Sequence, residues 1–343
     1  MSDAERSQDF PISTSDLDAI ESIDQVIAGL QAMIAWAKHQ PSRIGYFAAL
    51  YLRVTATLRD KVGTGFFDDD ARMERMVVAF AKPYFLALRQ FHDQDPALLA
   101  SWKLAFDATT RDDLLIVQQL LGAMNPHINI DLATAAAEIC PGESIDTFRA
   151  DFDRINQVLG GLVPTVISEI DDLSPLIRLV MDLAEQASIA VINFSMDEAR
   201  DFAWRLAVRL ARATPEEQAA LIADRDAFVT RLGGDVLDPG EPWRTVVDIV
   251  RAPESQDVRL NIEALDRGNP LPRHPAPPSP SGEPPNRVYY FEIADGSWTG
   301  TFTFRLTSWR RLWASEIGLV NKLLASAMAV FQTIFGDGSI TST

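Results

Sequence analysis

The chain is poor in the residues that most chemistry needs. It has 343 residues but one cysteine and four histidines. A single thiol, Cys140, closes no internal disulfide and builds no cysteine-based zinc cage. No adjacent histidine or basic cluster marks it as a nucleophile, so a buried structural role is expected. No Gly-x-Ser-x-Gly elbow is present, which removes support for serine hydrolase chemistry. Gly160-Gly161 and Gly233-Gly234 follow no strand and precede no Lys-Ser/Thr pair. They read as helix ends, not phosphate loops. Positive charge is scarce as well: 31 Lys and Arg stand against 48 Asp and Glu, a net charge of -17. That leaves no broad basic surface to displace counterions from phosphates, so nucleic acid is not an expected partner. Anionic membranes are disfavoured for the same reason. The polar, acidic N-terminus lacks the basic and apolar regions of a signal peptide. No apolar run is clearly long enough for stable membrane insertion. A reducing, cytoplasmic setting is the expectation.

What the chain has in abundance is helical periodicity. Leu17, Ile20, Ile23, Val26, Ile27, Leu30 and Ile34 recur at helical spacing behind Ser15-Asp16 and stop before Pro41. Phe47, Leu50, Tyr51, Val54 and Leu58 stripe a helix over 44–61. Met73, Met76, Val77, Phe80, Tyr84 and Leu88 stripe another over 70–92, with Pro83 expected to kink it. Further helices are expected over 96–107, 112–124, 132–139, 144–160, 162–173, 175–194, 195–213 and 215–232. Thr214-Pro215-Glu216-Glu217 is a strong helix start. The fold class is therefore mainly α: a multi-helix, bundle-like domain followed by a small α+β C-terminal module.

The expected organisation is a disordered N-terminus over 1–13, an all-α domain over 14–235 and a helical extension over 236–268. A proline-rich linker follows over 269–286, where eight prolines forbid regular packing. The last segment, 287–343, reads as a β-hairpin plus an apolar helix over Leu312 to Phe335, a thin core expected to dock on the helical domain, to pair with another chain, or to be the front part of an incomplete domain. That helix is expected to pack on the strands or on the helical domain. Trp309-Arg310-Arg311-Leu312-Trp313 is expected to be a covered domain edge.

One stretch pairs a histidine with an acid at fixed geometry: Asn125-Pro126-His127-Ile128-Asn129-Ile130-Asp131-Leu132. His127 and Asp131 stand at i and i+4, on one face of a helix, one turn apart. So placed, they bind one metal ion or orient one another. A divalent metal would need further ligands. His92 is the candidate third ligand, and Glu74 the candidate additional catalytic residue. Asp93, Asp95 and the run Asp68 to Asp70 are the remaining donors considered. Against this stands a bland reading, in which His127, Asn125 and Asn129 satisfy backbone groups freed by Pro126 and Asp131 pairs with an arginine.

The stretch Leu121 to Leu132 resembles the signature of a bacterial family known as domain of unknown function 5995. So do Phe47 to Thr55, Met73 to Ala81 and Ala199 to Trp204. The resemblance spans roughly residues 20–235 and implies an all-helical domain, with no activity to carry over. Pro126 departs from it, where a small residue such as alanine is expected. A weaker analogy runs to the all-helical zinc phospholipase C and P1-type nuclease enzymes, whose helices bear His-x-x-x-Asp metal pairs. A full cluster of that kind is not expected, because His39 and His274 are the only other histidines and no N-terminal tryptophan is present. Two functional readings follow. One is a metal-dependent or acid/base hydrolase acting on a small or lipid-like substrate through His127, Asp131 and Glu74. The other is a non-catalytic scaffold for an apolar ligand or a protein partner.

Overall fold

The computed structural model describes residues 10–13, 17, 19–174, 176, 196–241, 243–267, 289–294 and 299–304. Helix dominates them, as the periodicity predicts. α1 (Ile23–His39) starts with a reciprocal cap: the Ser22 side chain accepts the Gln25 backbone N–H, and the Gln25 side chain accepts the Ser22 N–H at 3.0 Å. Val26, Leu30, Met33 and Ala37 form its buried stripe, at spacings of four, three and four. Each fully buried Leu or Met contributes roughly 1.5–3 kcal/mol relative to exposure.

α2 (Ile44–Arg59) is buried on every side from Ile44 through Tyr51, the mark of a helix in the middle of a core. α1 packs along it. α3 (Asp70–Asp93) is capped by Asp69, which accepts the Arg72 N–H, and runs on through Pro83. It ends at Gln94, whose left-handed backbone closes the helix. Then come α4 (Ala100–Ala108), α5 (Ile116–Pro126), one π-turn (His127–Asp131) and α6 (Leu132–Ile139). A 3-10 stretch (Gly142–Phe148) leads into α7 (Arg149–Leu173). α8 (Met196–Arg212), α9 (Pro215–Leu237), α10 (Trp243–Arg251) and α11 (Val258–Arg267) complete the helices among the described residues. Thr214 and Glu217 form the cap of α9.

Several bounds differ from the sequence expectation, for reasons of packing. The expected break at Gly160-Gly161 is absent, since α7 is continuous across it. Gly233 and Gly234 lie inside α9, not at its end. A methyl on Gly233 would sit 3.1 Å from both Asn125 Nδ2 and Leu104 Cδ2, so glycine there serves close helix approach. The helix that carries Val26, Leu30 and Ile34 begins at Ile23, where the Ser22 side chain accepts the Gln25 N–H.

The chain divides into two compact units, 1–239 with 253–271 and 240–252 with 272–343. Within the first, α3 and α8 both pack on α6, α9 packs on α4 and α5, and α11 packs on α1 and α2. Within the second, β1 (Tyr289–Ala294) pairs antiparallel with β2 (Thr299–Phe304), Tyr289 opposite Phe304. The expected linker, the C-terminal helix and the Trp309–Trp313 stretch lie outside the described residues.

Candidate functional site

Pro126 lacks a backbone donor, and immediately after it the helix widens by one residue. The Leu132 N–H reaches back to the His127 carbonyl, five residues away. Such π-turns are rare and recur at functional sites. All five residues of this one are buried. The turn leaves His127 and Asp131 on the same side. His127 Nδ1 lies 3.0 Å from Asp131 Oδ2. The other carboxylate oxygen of Asp131 accepts a hydrogen bond from Trp102 Nε1 at 3.4 Å.

Three helices supply the walls. α2 contributes Phe47 and Tyr51, α3 contributes Phe80 and Tyr84, and α4 contributes Trp102. Phe80 stacks flat on the imidazole, with centroids 3.9 Å apart. Tyr51 meets it edge-on at 4.4 Å and Phe47 at 5.4 Å. Tyr84 and Trp102 close the ring at 6.1 Å. His127 and Asp131 are 4% and 2% exposed, so the dyad is sealed in an aromatic box.

Burial sets the electrostatics. It pulls the His127 imidazole below its ordinary range, with the hydrogen bond and charge of Asp131 opposing. It pushes the Asp131 carboxyl up, with His127 and Trp102 opposing. Tyr51 is pushed well up by burial and by the nearby Asp131 and Tyr84, and Tyr84 by burial alone. The imidazole is thus neutral near pH 7. With Asp131 ionised, its bond to Nδ1 puts the single proton there and leaves Nε2 as an acceptor. Among the described residues Nε2 has no hydrogen-bond partner, and neither do the Tyr51 and Tyr84 hydroxyls. Buried polar atoms without partners cost about 1–3 kcal/mol each. Three of them lie here on rings in mutual contact.

The bland reading of the motif holds in one half. Asn129 Nδ2 donates to the Asn125 carbonyl at 3.0 Å, and Asn125 Nδ2 donates to the Val229 carbonyl at 2.7 Å. Asn129 therefore repairs the backbone at the π-turn, whereas Asn125 ties the turn to α9. The other half does not hold: the partners of Asp131 are His127 and Trp102, not an arginine.

The other candidates are elsewhere. Glu74 is exposed on α3, six residues before Phe80 and so about 9 Å away along the axis. His92 lies twelve residues beyond Phe80, about 18 Å along the same helix. There it contacts Asp93 at 3.1 Å and stacks on Phe10. Asp93 pairs with Arg89, Asp95 accepts the Ala97 N–H, and Asp69 caps α3. Among the described residues no three His, Cys, Asp or Glu side chains are grouped to hold a metal. The expected metal set of His127, Asp131 and His92 is therefore not assembled, because a rigid helix holds His92 a long way from the dyad. Cys140 is buried, and its thiol is pushed up by that burial.

The aromatic box escaped the sequence reading, which treated Phe47, Tyr51, Phe80 and Tyr84 as ordinary core. The available signal was two i, i+4 aromatic pairs, each with a tyrosine second, within or beside the stretches 47–55 and 73–81. Trp102 carried no comparable signal. A family model described as "Family of unknown function (DUF5995)" matches residues 23–239. No curated protein and no solved structure matches the chain.

Proposed function

The chain belongs to the DUF5995 family, whose description assigns no activity, and from the geometry of its buried dyad we propose acid/base chemistry on a small neutral molecule enclosed by the aromatic box. The observation that carries this reading is the free Nε2 of an imidazole whose other nitrogen is fixed by a carboxylate. Such an arrangement defines the tautomer of a general base and stabilises the imidazolium that forms when it takes a proton. His127 is the base and Asp131 orients it. The Tyr51 and Tyr84 hydroxyls are donors for an oxygen that gains negative charge. Among the described residues around the imidazole none is a cation, so a neutral substrate fits better than an anion.

For an ester the steps balance simply. A water oxygen bonds to the carbonyl carbon while its proton passes to His127 Nε2. The ester C–O bond then breaks, and the same proton leaves with the alcohol. Proton transfer of this kind contributes about 10²–10⁴-fold to a rate. Sealing by aromatic rings fits a site that opens to admit its ligand.

The test uses p-nitrophenyl acetate as the probe. Wild-type protein is expected to hydrolyse it faster than His127→Gln, with Asp131→Asn intermediate and Tyr84→Phe slowed. Thermal melts confirm that each variant is folded. Equal rates for wild type and a folded His127→Gln protein would remove the base from the proposal. A second reading is favoured by the completeness of the burial: the same box retains a neutral aromatic ligand without turnover. Native mass spectrometry of the purified protein separates the two, since a retained ligand lost in His127→Gln, with no hydrolysis by wild type, supports the scaffold.

A further inference from the structure

The first compact unit carries one surface that its charge does not explain. Phe202 on α8 and Phe228 on α9 are 40% and 41% exposed, two of the few large apolar side chains so open among the described residues. Their rings lie side by side, centroids 6.3 Å apart and inclined at 31°. The Arg205 guanidinium lies 4.5 Å from the Phe202 centroid and that of Arg225 5.5 Å from it. Arg209 stands one turn from Arg205 on α8. Arg225 is half-buried, and the charges of Arg209 and Arg205 bear on it.

In a chain of net charge -17, many arginines find a carboxylate. Arg72, Arg89, Arg111, Arg149, Arg154 and Arg212 all do. Among the described residues none lies within ion-pair distance of Arg205, Arg209 or Arg225. Two of the acids beside them are committed. Asp226 turns away to accept the Ala100 and Ser101 N–H groups and the Ser101 hydroxyl. Asp201 faces Arg149 at 3.6 Å. Asp224 alone adds a favourable charge to Arg225.

Three adjacent guanidiniums repel one another, and two exposed phenyl rings cost solvation. Both penalties are relieved by one kind of occupant. We propose that Phe202, Arg205, Arg209, Arg225 and Phe228 dock an acidic, aromatic-bearing segment of another protein. Carboxylates fit the guanidinium forks, and an aromatic side chain continues the stack of rings and cations. Charge complementarity also separates this occupant from an anionic bilayer. A membrane plane faces the wider, negatively charged surface of the chain, whereas a narrow acidic segment meets only the patch.

The probe is a blocked hexapeptide of alternating glutamate and tryptophan, titrated against full-length protein by fluorescence anisotropy. Its lysine–tryptophan counterpart and phosphatidylserine vesicles are the comparison arms. The acidic peptide is expected to bind saturably, at least about tenfold tighter than the basic one. Binding weakens as salt shortens the screening length from about 10 Å toward 3 Å. The double variant Arg205→Gln/Arg225→Gln and the single variant Phe202→Ser, both melting as wild type does, are expected to lose most of that affinity. Equal binding of the two peptides, unchanged affinity in the folded variants, or binding to vesicles but not to the acidic peptide would each overturn the proposal.

Discussion

At the scale of single residues, the His127–Asp131 pair makes a claim that needs no substrate to check. Bonding of Nδ1 to a buried carboxylate leaves Nε2 unprotonated. Long-range proton–nitrogen spectra are expected to report the Nδ1–H tautomer, with a titration midpoint below the ordinary histidine value of about 6.5. The sign of the stability effect follows. The folded pKa lies below the unfolded one, so the unfolded chain binds more protons as pH falls through about 6.5. The contribution of His127 is complete above that value and is lost on acidification toward its folded pKa. Asp131, with a raised pKa, acts in the opposite sense, its contribution fading as pH rises through the folded value. Melting temperatures of wild type and His127→Gln are therefore expected to converge between pH 7 and pH 5. Parallel curves would show that His127 does not titrate as a depressed group. The pair itself was legible in the sequence, because i, i+4 spacing on a helix is local geometry. Its walls were not. Phe47, Tyr84 and Trp102 come from three separate helices, and no local pattern says which aromatic stripes converge.

At the scale of elements, local signals found the helices and failed where packing overrides propensity. The Thr214–Glu217 box placed the start of α9 directly. Its end was misplaced at Gly233, since glycine is both a common helix terminator and the residue that close approach demands. The two adjacent glycines separate these roles. Gly234 has nothing within 4 Å of an added Cβ, so Gly234→Ala is expected to raise stability by about 1 kcal/mol through helix propensity. Gly233→Ala gains the same term but presses on Asn125 and Leu104, and is expected to be neutral or to lose about 1–2 kcal/mol. Urea melts that give both substitutions the same positive change would show that the α9 contact yields freely.

A second element-scale device is the Asp151 carboxylate, which is buried at the start of α7. It accepts the Asp68 N–H at 2.7 Å and the Asp69 N–H at 3.3 Å, and it binds Arg72 and Arg154. Burial alone would raise its pKa, but those donors outweigh it and hold the group below the usual carboxylate range. Its stabilisation is thus present above the unfolded value of about 3.9 and is lost as pH falls through the lower folded pKa. Removing one member of a buried, paired cluster costs about 3–5 kcal/mol. Asp151→Ala is expected to fall in that range by urea melts and to loosen the 61–69 loop in hydrogen exchange. A loss under about 1 kcal/mol would mean that the arginines find other partners.

For the whole molecule, the family match stops at residue 239, but the first compact unit does not. It takes back residues 253–271, including α11. Ile262 and Asn261 are wholly buried there, and Leu265 nearly so. Ile262 lies so close over Gly45 that a Cβ on that glycine would fall 2.7 Å from it. Asn261 Nδ2 donates to the Tyr46 hydroxyl, Arg53 donates to the Leu265 carbonyl, and Lys38 pairs with Asp266. Glu254 accepts the Ile116 N–H at the start of α5, the helix that leads into the π-turn. α11 therefore covers one face of α2, and α2 also supplies Phe47 and Tyr51 to the dyad. The sequence suggested a helical extension over 236–268. It gave no sign that the later part returns to the core, because α11 shows only an amphipathic stripe and its partners lie more than 200 residues earlier. Ending the chain at 239 removes two large apolar side chains from the core, roughly 1.5–3 kcal/mol each, before any hydrogen bond is counted. Against a total stability of about 5–15 kcal/mol, that is a large share. A chain ending at 239 is expected to melt well below one ending at 267 and to show the indole fluorescence of Trp102 shifted toward that of a solvated ring. Identical melting curves for the two chains would show that α11 merely rests on a core complete without it.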